Sequence, residues 1–299
     1  MSANRVIGVD LGGTKVLAGL VDREGTVERT IEVPTPTTSQ ADLLAVLERL
    51  VGELLDGEVG ALGFGVPSQI DQRRGVAIGS VNIPIDNLPL RDHMQERFGL
   101  PTGLDNDANA AALAEWKNGA GQGTTDMVML TLGTGVGGGI VSDGRLYRGW
   151  AELGHVVIDY DGPPCFGACT GRGHLEAVCS GQAADRDARG ILGPDATAHE
   201  LVMQARGGDE RSLAAIGEIG GRLGAAIGSF ANIWYPQLTV IGGGFGVAAF
   251  DLLLGPAKET LVQEALSPAR DELEIALAEL GPEAGLLGAG LLAFETLDG

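Results

Sequence analysis

Aromatic side chains are scarce in this chain, at 4% of residues, and cysteines number only three. Aliphatic side chains and alanine must therefore build the core, and a disulfide scaffold is excluded. Positive charge is also thin: 20 Lys and Arg stand against 40 Asp and Glu, a formal net charge of −20. A nucleic-acid binder needs a basic footprint, and no run of Lys and Arg exists to make one. Binding to an anionic membrane surface is disfavoured for the same reason. No stretch of 18 apolar residues is present, so nothing reads as a bilayer span. Met1-Ser2-Ala3-Asn4-Arg5 leads straight into the apolar Val6-Ile7-Gly8-Val9, without the apolar core of a secretory signal. The expectation is a cytoplasmic enzyme or binding protein.

Glycine, by contrast, is abundant, at 49 of 299 residues. These glycines follow no three-residue period and sit among Val, Ile and Leu, which fits tight turns and close backbone approaches. Apolar patterning predicts strands at 6–9, 16–21 and 27–33. A helix follows, capped by Ser39 or Asp42 and carried by Leu43, Leu47, Leu50 and Leu54. Further segments read as a strand at 61–66, a helix at 89–98, a strand at 101–104 and an Ala-rich helix at 107–117. Gly119, Gly121 and Gly123 mark the expected domain boundary. Beyond it come strands at 127–132 and 137–141 around a glycine turn, with a hairpin turn at Asp143-Gly144. Helices are predicted at about 174–190, 195–206 and 208–232, a strand at 238–241 and a final helix at 286–297. The order strand, glycine turn, strand at 6–25 recurs at 127–148, a weak internal repeat.

Three glycine elements carry chemistry. In Asp10-Leu11-Gly12-Gly13-Thr14-Lys15 a strand delivers a carboxylate, and two glycines then let backbone N–H groups approach a phosphate. Asp10 could order Mg²⁺ through water. A plain Gly-Gly hairpin turn with a capping Asp is the alternative. Leu132 to Gly139 holds five glycines in seven residues, at 133, 135, 137, 138 and 139. A bare backbone facing a polyanion would explain that density, as would a tight hairpin packed on another strand. Val240-Ile241-Gly242-Gly243-Gly244 runs from a strand toward a helix start, where anions are favoured. None of these is a GxGxxG fingerprint, and no GxxxxGK[ST] loop exists. Taken in this order, the three resemble the phosphate and adenosine loops of the sugar kinase, actin and Hsp70 superfamily.

Two polar constellations complete the set. Asp105-Asn106-Asp107-Ala108-Asn109 stands between a predicted strand and a helix, where a carboxylate can accept a proton from an alcohol. Helix capping explains part of the cluster. Further on, Glu152-Leu153-Gly154-His155 precedes Cys165, Cys169 and His174-Leu175-Glu176. Two thiols four apart with nearby imidazoles suit tetrahedral Zn²⁺, with His155, Cys165, Cys169 and His174 as the set. Cys179 reads as a core thiol.

In family order, Asp10-x-Gly-Gly-Thr-Lys15, Asn106-Asp107-Ala108-Asn109-Ala110, Glu152-x-Gly-His155, the Cys/His segment to Glu176 and Gly285-Leu286-Leu287-Gly288-Ala289-Gly290 resemble the ROK family (repressor, open reading frame, kinase), and within it the bacterial glucokinase-like members. The resemblance runs from Val6 to about Leu297. It implies an α/β, ribonuclease H-like fold of two domains with the ligand cleft between them. A small domain, 1–118, would carry the helix 286–299 packed back on it. A large domain, 119–285, would hold the zinc segment 155–176. The implied reaction is ATP-dependent phosphorylation of a hexose, glucose first, with fructose, mannose, allose or N-acetylmannosamine as alternatives. Asp107 is the implied base. Asn82, Asn106, Glu152, His155 and Glu176 would hold sugar hydroxyls, and Ser68, where many members have Gly, adds a hydroxyl beside them. Gly12, Gly13, Thr14, Lys15, Thr134, Gly135, Gly242, Gly243 and Gly244 would line the ATP site with Asp10. The cofactors implied are ATP, Mg²⁺ and a structural Zn²⁺; the partners are the sugar, ATP and further copies of the chain in a homodimer or larger homo-oligomer. The metal segment departs from the family's Cys-x-Cys-Gly-x-x-Gly-Cys: three residues separate Cys165 from Cys169, and His174 replaces the last Cys. Family repressors carry an amino-terminal helix-turn-helix, whereas the first strand here begins by residue 5. A non-catalytic sensor is disfavoured by Asp107, and a polyphosphate donor by the scarcity of Lys and Arg.

Overall fold

The computed structural model describes residues 3–80 and 83–298. The chain opens with strands β1 (Arg5–Leu11), β2 (Lys15–Asp22) and β3 (Val27–Pro34), helix α1 (Gln40–Leu54) and strand β4 (Val59–Val66). Short strands β5 (Ile70–Asp71), β6 (Val76–Gly79) and β7 (Asp86–Leu88) lead to α2 (Leu90–Phe98), β8 (Thr102–Asn106) and α3 (Asp107–Asn118). The second half begins with β9 (Met127–Leu132), β10 (Val136–Ser142) and β11 (Arg145–Leu146), then α4 (Leu175–Cys179), α5 (Gly181–Leu192), α6 (Ala198–Arg206) and α7 (Glu210–Trp234). It closes with β12 (Leu238–Gly242), α8 (Gly244–Glu264), α9 (Ala269–Glu272), β13 (Glu274–Leu277) and α10 (Ala284–Asp298).

Two compact units emerge: residues 1–119 with 148–150 and 280–299, and residues 120–147 with 151–279. Each is built on a five-stranded sheet of the same topology. The first runs β3-β2-β1-β4-β8, the second β11-β10-β9-β12-β13. In both, the leading three strands pair antiparallel and the last two join parallel. The repeat glimpsed in the glycine turns thus extends through the whole sheet. A separate hairpin sheet, β5-β6-β7, branches from the first unit.

In the first unit, alternate residues along each strand face opposite layers. Ile7, Val9, Leu11, Leu62, Phe64 and Val66 pack with Leu43, Leu47, Leu50 and Leu54 of α1. The sequence places α1 there by its 3–4 spacing, and Ser39 starts it by accepting the Asp42 N–H through its hydroxyl. The other face receives α10, and at unusual range. Gly8, Gly63 and Gly103 pair directly across β1, β4 and β8. A Cβ on Gly63 would overlap the Ala289 carbonyl oxygen, and one on Gly103 would lie 2.6 Å from the Leu292 oxygen. The helix backbone therefore lies on the strands themselves, with Leu286, Leu287, Ala289 and Ala293 buried around it. Beside α10, on the same face of the sheet, lies α3: a Cβ on Gly288 would strike the Ala110 oxygen.

In the second unit, Val128, Leu130, Ile140, Ile219, Leu223, Phe230, Ile241 and Leu253 belong to one aliphatic core. The helix expected over 174–190 is two helices, because Ser180 ends α4 and caps α5 by accepting the Ala183 N–H.

A prediction follows from the glycine row. Gly63→Ala should destabilise the protein by about 3 kcal/mol or more, since α10 cannot shift away without uncovering the sheet. Gly52→Ala, on an exposed face of α1 with nothing within 4 Å, should instead stabilise by about 0.5–1 kcal/mol. Denaturant titration of the two variants checks the contrast; similar shifts for both would refute the close packing.

Candidate active site and metal centre

The parallel strands of the first unit end in acid. Asp10 pairs with Gly65 across β1 and β4, and Gly65 with Asp105 across β4 and β8. These positions lie two residues beyond the glycine row, so they share the α10 face. A Cβ on Gly285, in the first turn of α10, would lie 2.5 Å from Asp10 Oδ2. Burial, and next the negative charge of Asp107, push the Asp10 pKa up to about 7; Lys15 works against both. Perturbed carboxylates of this kind gather at functional sites.

The turn after β1 is closed by the Gly12 N–H donating to the Lys15 oxygen at 2.9 Å. Thr35 fixes it further, its hydroxyl donating to the Gly12 oxygen at 2.7 Å. Gly13, Thr14 and Lys15 are exposed. The Lys15 ammonium pairs with Glu32 on β3 at 2.6 Å.

Asn106 caps α3: its Oδ1 accepts from the Ala108 and Asn109 N–H groups, and its Nδ2 donates to the Ser68 oxygen at 3.3 Å. Asp107, the first residue of the helix, is half-buried and accepts the Ala108 N–H at 2.9 Å. The Ser68 hydroxyl is buried; it donates to the Gln69 oxygen and accepts the Gly79 N–H, which ties down the loop after β4. Asn82 lies outside the described residues.

Asp105, Asn109, Arg148 and Glu295, to which the motifs gave no role, belong to this constellation. Asp105, 1% exposed, accepts from Asn106 N–H, from Asn109 Nδ2 at 2.9 Å and from Arg148 at 2.8 Å. Burial pushes its carboxyl up, with Arg148 the chief opposing influence. Arg148 also pairs with Glu295 of α10. The sequence held a signal for Asp105, as an acid inside an apolar strand, but none for an Arg 43 residues away.

In the second unit, the glycine turn between β9 and β10 is pinned from behind. The Gly133 oxygen accepts the Gly181 N–H at 2.7 Å, and Glu176 accepts the Val136 N–H at 2.9 Å beside Gly135. Thr134 remains exposed at the tip. Gly243 caps α8 with φ +80°, and a Cβ there would meet the Leu132 backbone. Gly244 has open space around it, so the amino end of this 21-residue helix is a bare array of N–H groups.

Glu152 is exposed just before the short turn Leu153–His155. A hairpin of irregular backbone brings the metal candidates together: Val157 bridges His174, and Pro164 bridges Arg172. The chain reverses between Cys165, whose N–H donates to the Gly171 oxygen, and Gly171, with Gly167 at φ +63° inside the turn. One ligand atom each from His155, Cys165, Cys169 and His174 falls within 4.8 Å of the others. The two Nδ1 atoms are 3.2 Å apart, and Cys169 Sγ is 3.5 Å from that of His174 and 3.9 Å from that of His155. A tetrahedral ion about 2.3 Å from sulfur and about 2.0 Å from nitrogen sets its ligands roughly 3.3–3.8 Å apart. Burial, with Glu176 and Cys169 adding to it, pushes the Cys165 thiol up to about 12. A bound cation would draw it toward the thiolate. Donor set and spacing both fit zinc.

Among the described residues no helix is long and apolar enough to cross a membrane. Twin sheets of this topology, with glycine turns after their first strands, define the two-domain actin-like sugar kinase fold. The chain belongs to the ROK family, whose model matches residues 6–296. It is 35% identical to a glucokinase of Streptomyces coelicolor, over 97% of each chain. It is 33% identical to an N-acetylmannosamine kinase of Citrobacter koseri, over 96% of this chain and 98% of that one. Among solved structures, a ROK family glucokinase from Streptomyces griseus in complex with glucose and AMPPNP superposes with a TM-score of 0.81 at 33% identity, covering 97% of this chain and 99% of that one.

The Asp10 environment makes a pH prediction. Its folded pKa of about 7 stands above the ordinary 3.8, so stability present below pH 3.8 is lost as pH rises toward 7. Asp10→Asn should therefore unfold at higher temperature than the parent at pH 8, by up to about 4 kcal/mol in stability. The advantage should vanish near pH 4. Thermal unfolding without nucleotide or magnesium checks this, and a difference that stays constant with pH would contradict the burial argument.

Proposed function

We propose that the protein phosphorylates the 6-hydroxyl of a hexose with ATP, with glucose as its preferred sugar. The observation that carries this is Asp107: a half-buried carboxylate at the junction of β8 and α3, set against a second acid whose pKa is pushed up to about 7. The glucokinase relatives and the glucose- and AMPPNP-bound Streptomyces griseus glucokinase support the choice of substrates.

Phosphoryl transfer needs alignment and charge neutralisation more than covalent chemistry. In this reading Asp107 accepts the proton of the sugar 6-hydroxyl as its oxygen bonds to the γ-phosphorus of ATP. The bond from that phosphorus to the bridging oxygen breaks, and ADP leaves with the electron pair. Asn106, committed to its cap and to Ser68, serves the sugar by holding Asp107 in place as well as by the hydroxyl contact the family resemblance assigns it. Glu152, Glu176 and His155 Nε2 take further hydroxyls. His155 can do so because its contacts to the metal cluster run through Nδ1. The turns Gly12 to Lys15, Thr134–Gly135 and Gly242 to Gly244 take the phosphates through those of their N–H groups that are not already bonded within the turn or strand, with no need for the basic residues this chain lacks. Mg²⁺, when bound with the nucleotide near Asp10, would supply the charge neutralisation and draw that acid into its ionised form. His155, Cys165, Cys169 and His174 would hold zinc, whose service is structural: it fixes the loop that carries His155 and leads to Glu176.

A second sugar is favoured by one observation. The relative from Citrobacter koseri is an N-acetylmannosamine kinase at nearly the same identity, and single hydroxyl contacts decide between epimers.

ADP production with glucose, mannose, fructose, allose, N-acetylglucosamine and N-acetylmannosamine should peak on glucose. Asp107→Asn should keep its circular dichroism and lose about 10²–10⁴-fold in kcat; near-normal turnover would remove Asp107 from the mechanism. Metal analysis should find one zinc per chain, falling well below that in Cys169→Ser. A wild-type protein carrying no zinc and equally stable with and without added metal would reject the structural role.

A further inference from the structure

Among the described residues, two buried side-chain atoms lack a hydrogen-bond partner: Thr239 Oγ1, inside β12, and Asn109 Oδ1. Asn109 differs in that it borders a cavity. The cavity lies wholly within the first unit, and Asn106, Gln72 and Trp150 also line it. A buried carbonyl without a donor costs its full desolvation, so such an atom marks a place where a donor belongs.

The orientation of this amide is determined by its neighbours. Asn109 Nδ2 donates to Asp105 Oδ1 at 2.9 Å, and Asp105 Oδ2 accepts from Arg148 at 2.8 Å. An Asp105 paired with a guanidinium offers acceptors only. Turning the Asn109 amide over would set two acceptor oxygens against each other. The ion pair therefore aims Oδ1 into the cavity. Of the other groups there, Asn106 caps α3 and donates to Ser68 O, the Ser68 hydroxyl is bonded at both ends, and Gln72 is hydrogen-bonded to Asp105. Asn109 is three residues from Asn106 and so shares its side of α3.

The geometry points to Asn109 as a specificity residue that accepts a hydrogen bond from a sugar hydroxyl other than the one phosphorylated, with Asp105 and Arg148 as positioning residues that hold the acceptor. The class of ligand is a neutral hydroxyl donor. A carbonyl oxygen beside a buried carboxylate repels anions, and Arg148 already neutralises that carboxylate. Trp150, 59% exposed at the rim, adds the flat apolar surface on which a sugar ring can lie. This inference deepens the sugar-kinase reading above and rests on it.

The test compares kcat/KM for glucose and its monodeoxy analogues in three proteins: wild type, Asn109→Ser and Arg148→Gln. Asn109→Ser keeps a small hydroxyl for Asp105 but withdraws the acceptor. Arg148→Gln, on a side chain 37% exposed, frees the amide to turn. In wild type, the analogue lacking the hydroxyl read by Asn109 should be penalised about tenfold or more. In both variants that penalty should shrink to about twofold while the penalties on the other analogues persist. A structural role alone would lower turnover on every analogue by one common factor. That outcome in the folded variants, with a live wild type, overturns the assignment and leaves the acceptor serving a buried water. If Asn109→Ser fails to fold, Arg148→Gln reads the same selectivity. Silence of the wild type on every sugar would overturn the kinase reading and this inference together.

Discussion

The first unit depends on the contact between the backbone of α10 and the row formed by Gly8, Gly63 and Gly103. Helices ordinarily stand off a sheet by the thickness of two side-chain layers. Here the strands present no side chain at the contact, and the helix sits directly on them. Two consequences for the site follow at once. The first turn of α10 arrives beside Asp10, where it helps to seal the carboxyl from water. The flank of the helix holds α3 by the Gly288–Ala110 approach, and α3 carries Asp107 at its start. Asp10 and Asp107, two and four residues beyond Gly8 and Gly103, owe their proximity to that packing distance.

The charge balance of the chain makes sense in the same frame. Acid is placed at the carboxyl ends of parallel strands, the usual ligand end of an α/β sheet, and the anion-receptive groups are backbone N–H rather than Lys or Arg. Asp105 illustrates how such a site is kept in order. It is buried, it is paired with Arg148, and each of its oxygens is used. A buried pair is weak as a source of stability but effective in fixing one arrangement of its neighbours, and here the neighbours are the cap of α3 and the amide of Asn109.

Much of this was legible in the sequence, though unevenly. α1 declares itself by periodicity and by its cap Ser39, and α7 by a long helical segment. The glycine turns and the Cys/His segment are local patterns whose chemistry survives without the fold, and the four ligand atoms do converge. What depends on distant partners was not legible. β5, β6 and β7 are two to four residues long, too short to show an alternation, and exist because they pair with one another. The glycine row is invisible because Gly8, Gly63 and Gly103 mean nothing until register aligns them. Arg148 reads as a loop residue, and its role appears only when the segment 148–150 joins the first unit. Ser180 looks like a helix interior position because the apolar pattern runs through it, whereas its hydroxyl prefers the Ala183 N–H and breaks the run in two.

The order of synthesis gives the glycine row a further meaning. The strands that carry Gly8, Gly63 and Gly103 are all translated by residue 106, but the helix that covers them spans Ala284–Asp298. Until then, that face of the first sheet has only α3, which lies beside Gly65, to cover it, and the glycine row brings no side chains of its own. The second unit, made from residues 120–147 and 151–279, can complete its own core earlier. The segment translated first thus waits for the segment translated last: a chain that stops short of α10 lacks the helix that covers the glycine row of its oldest strands.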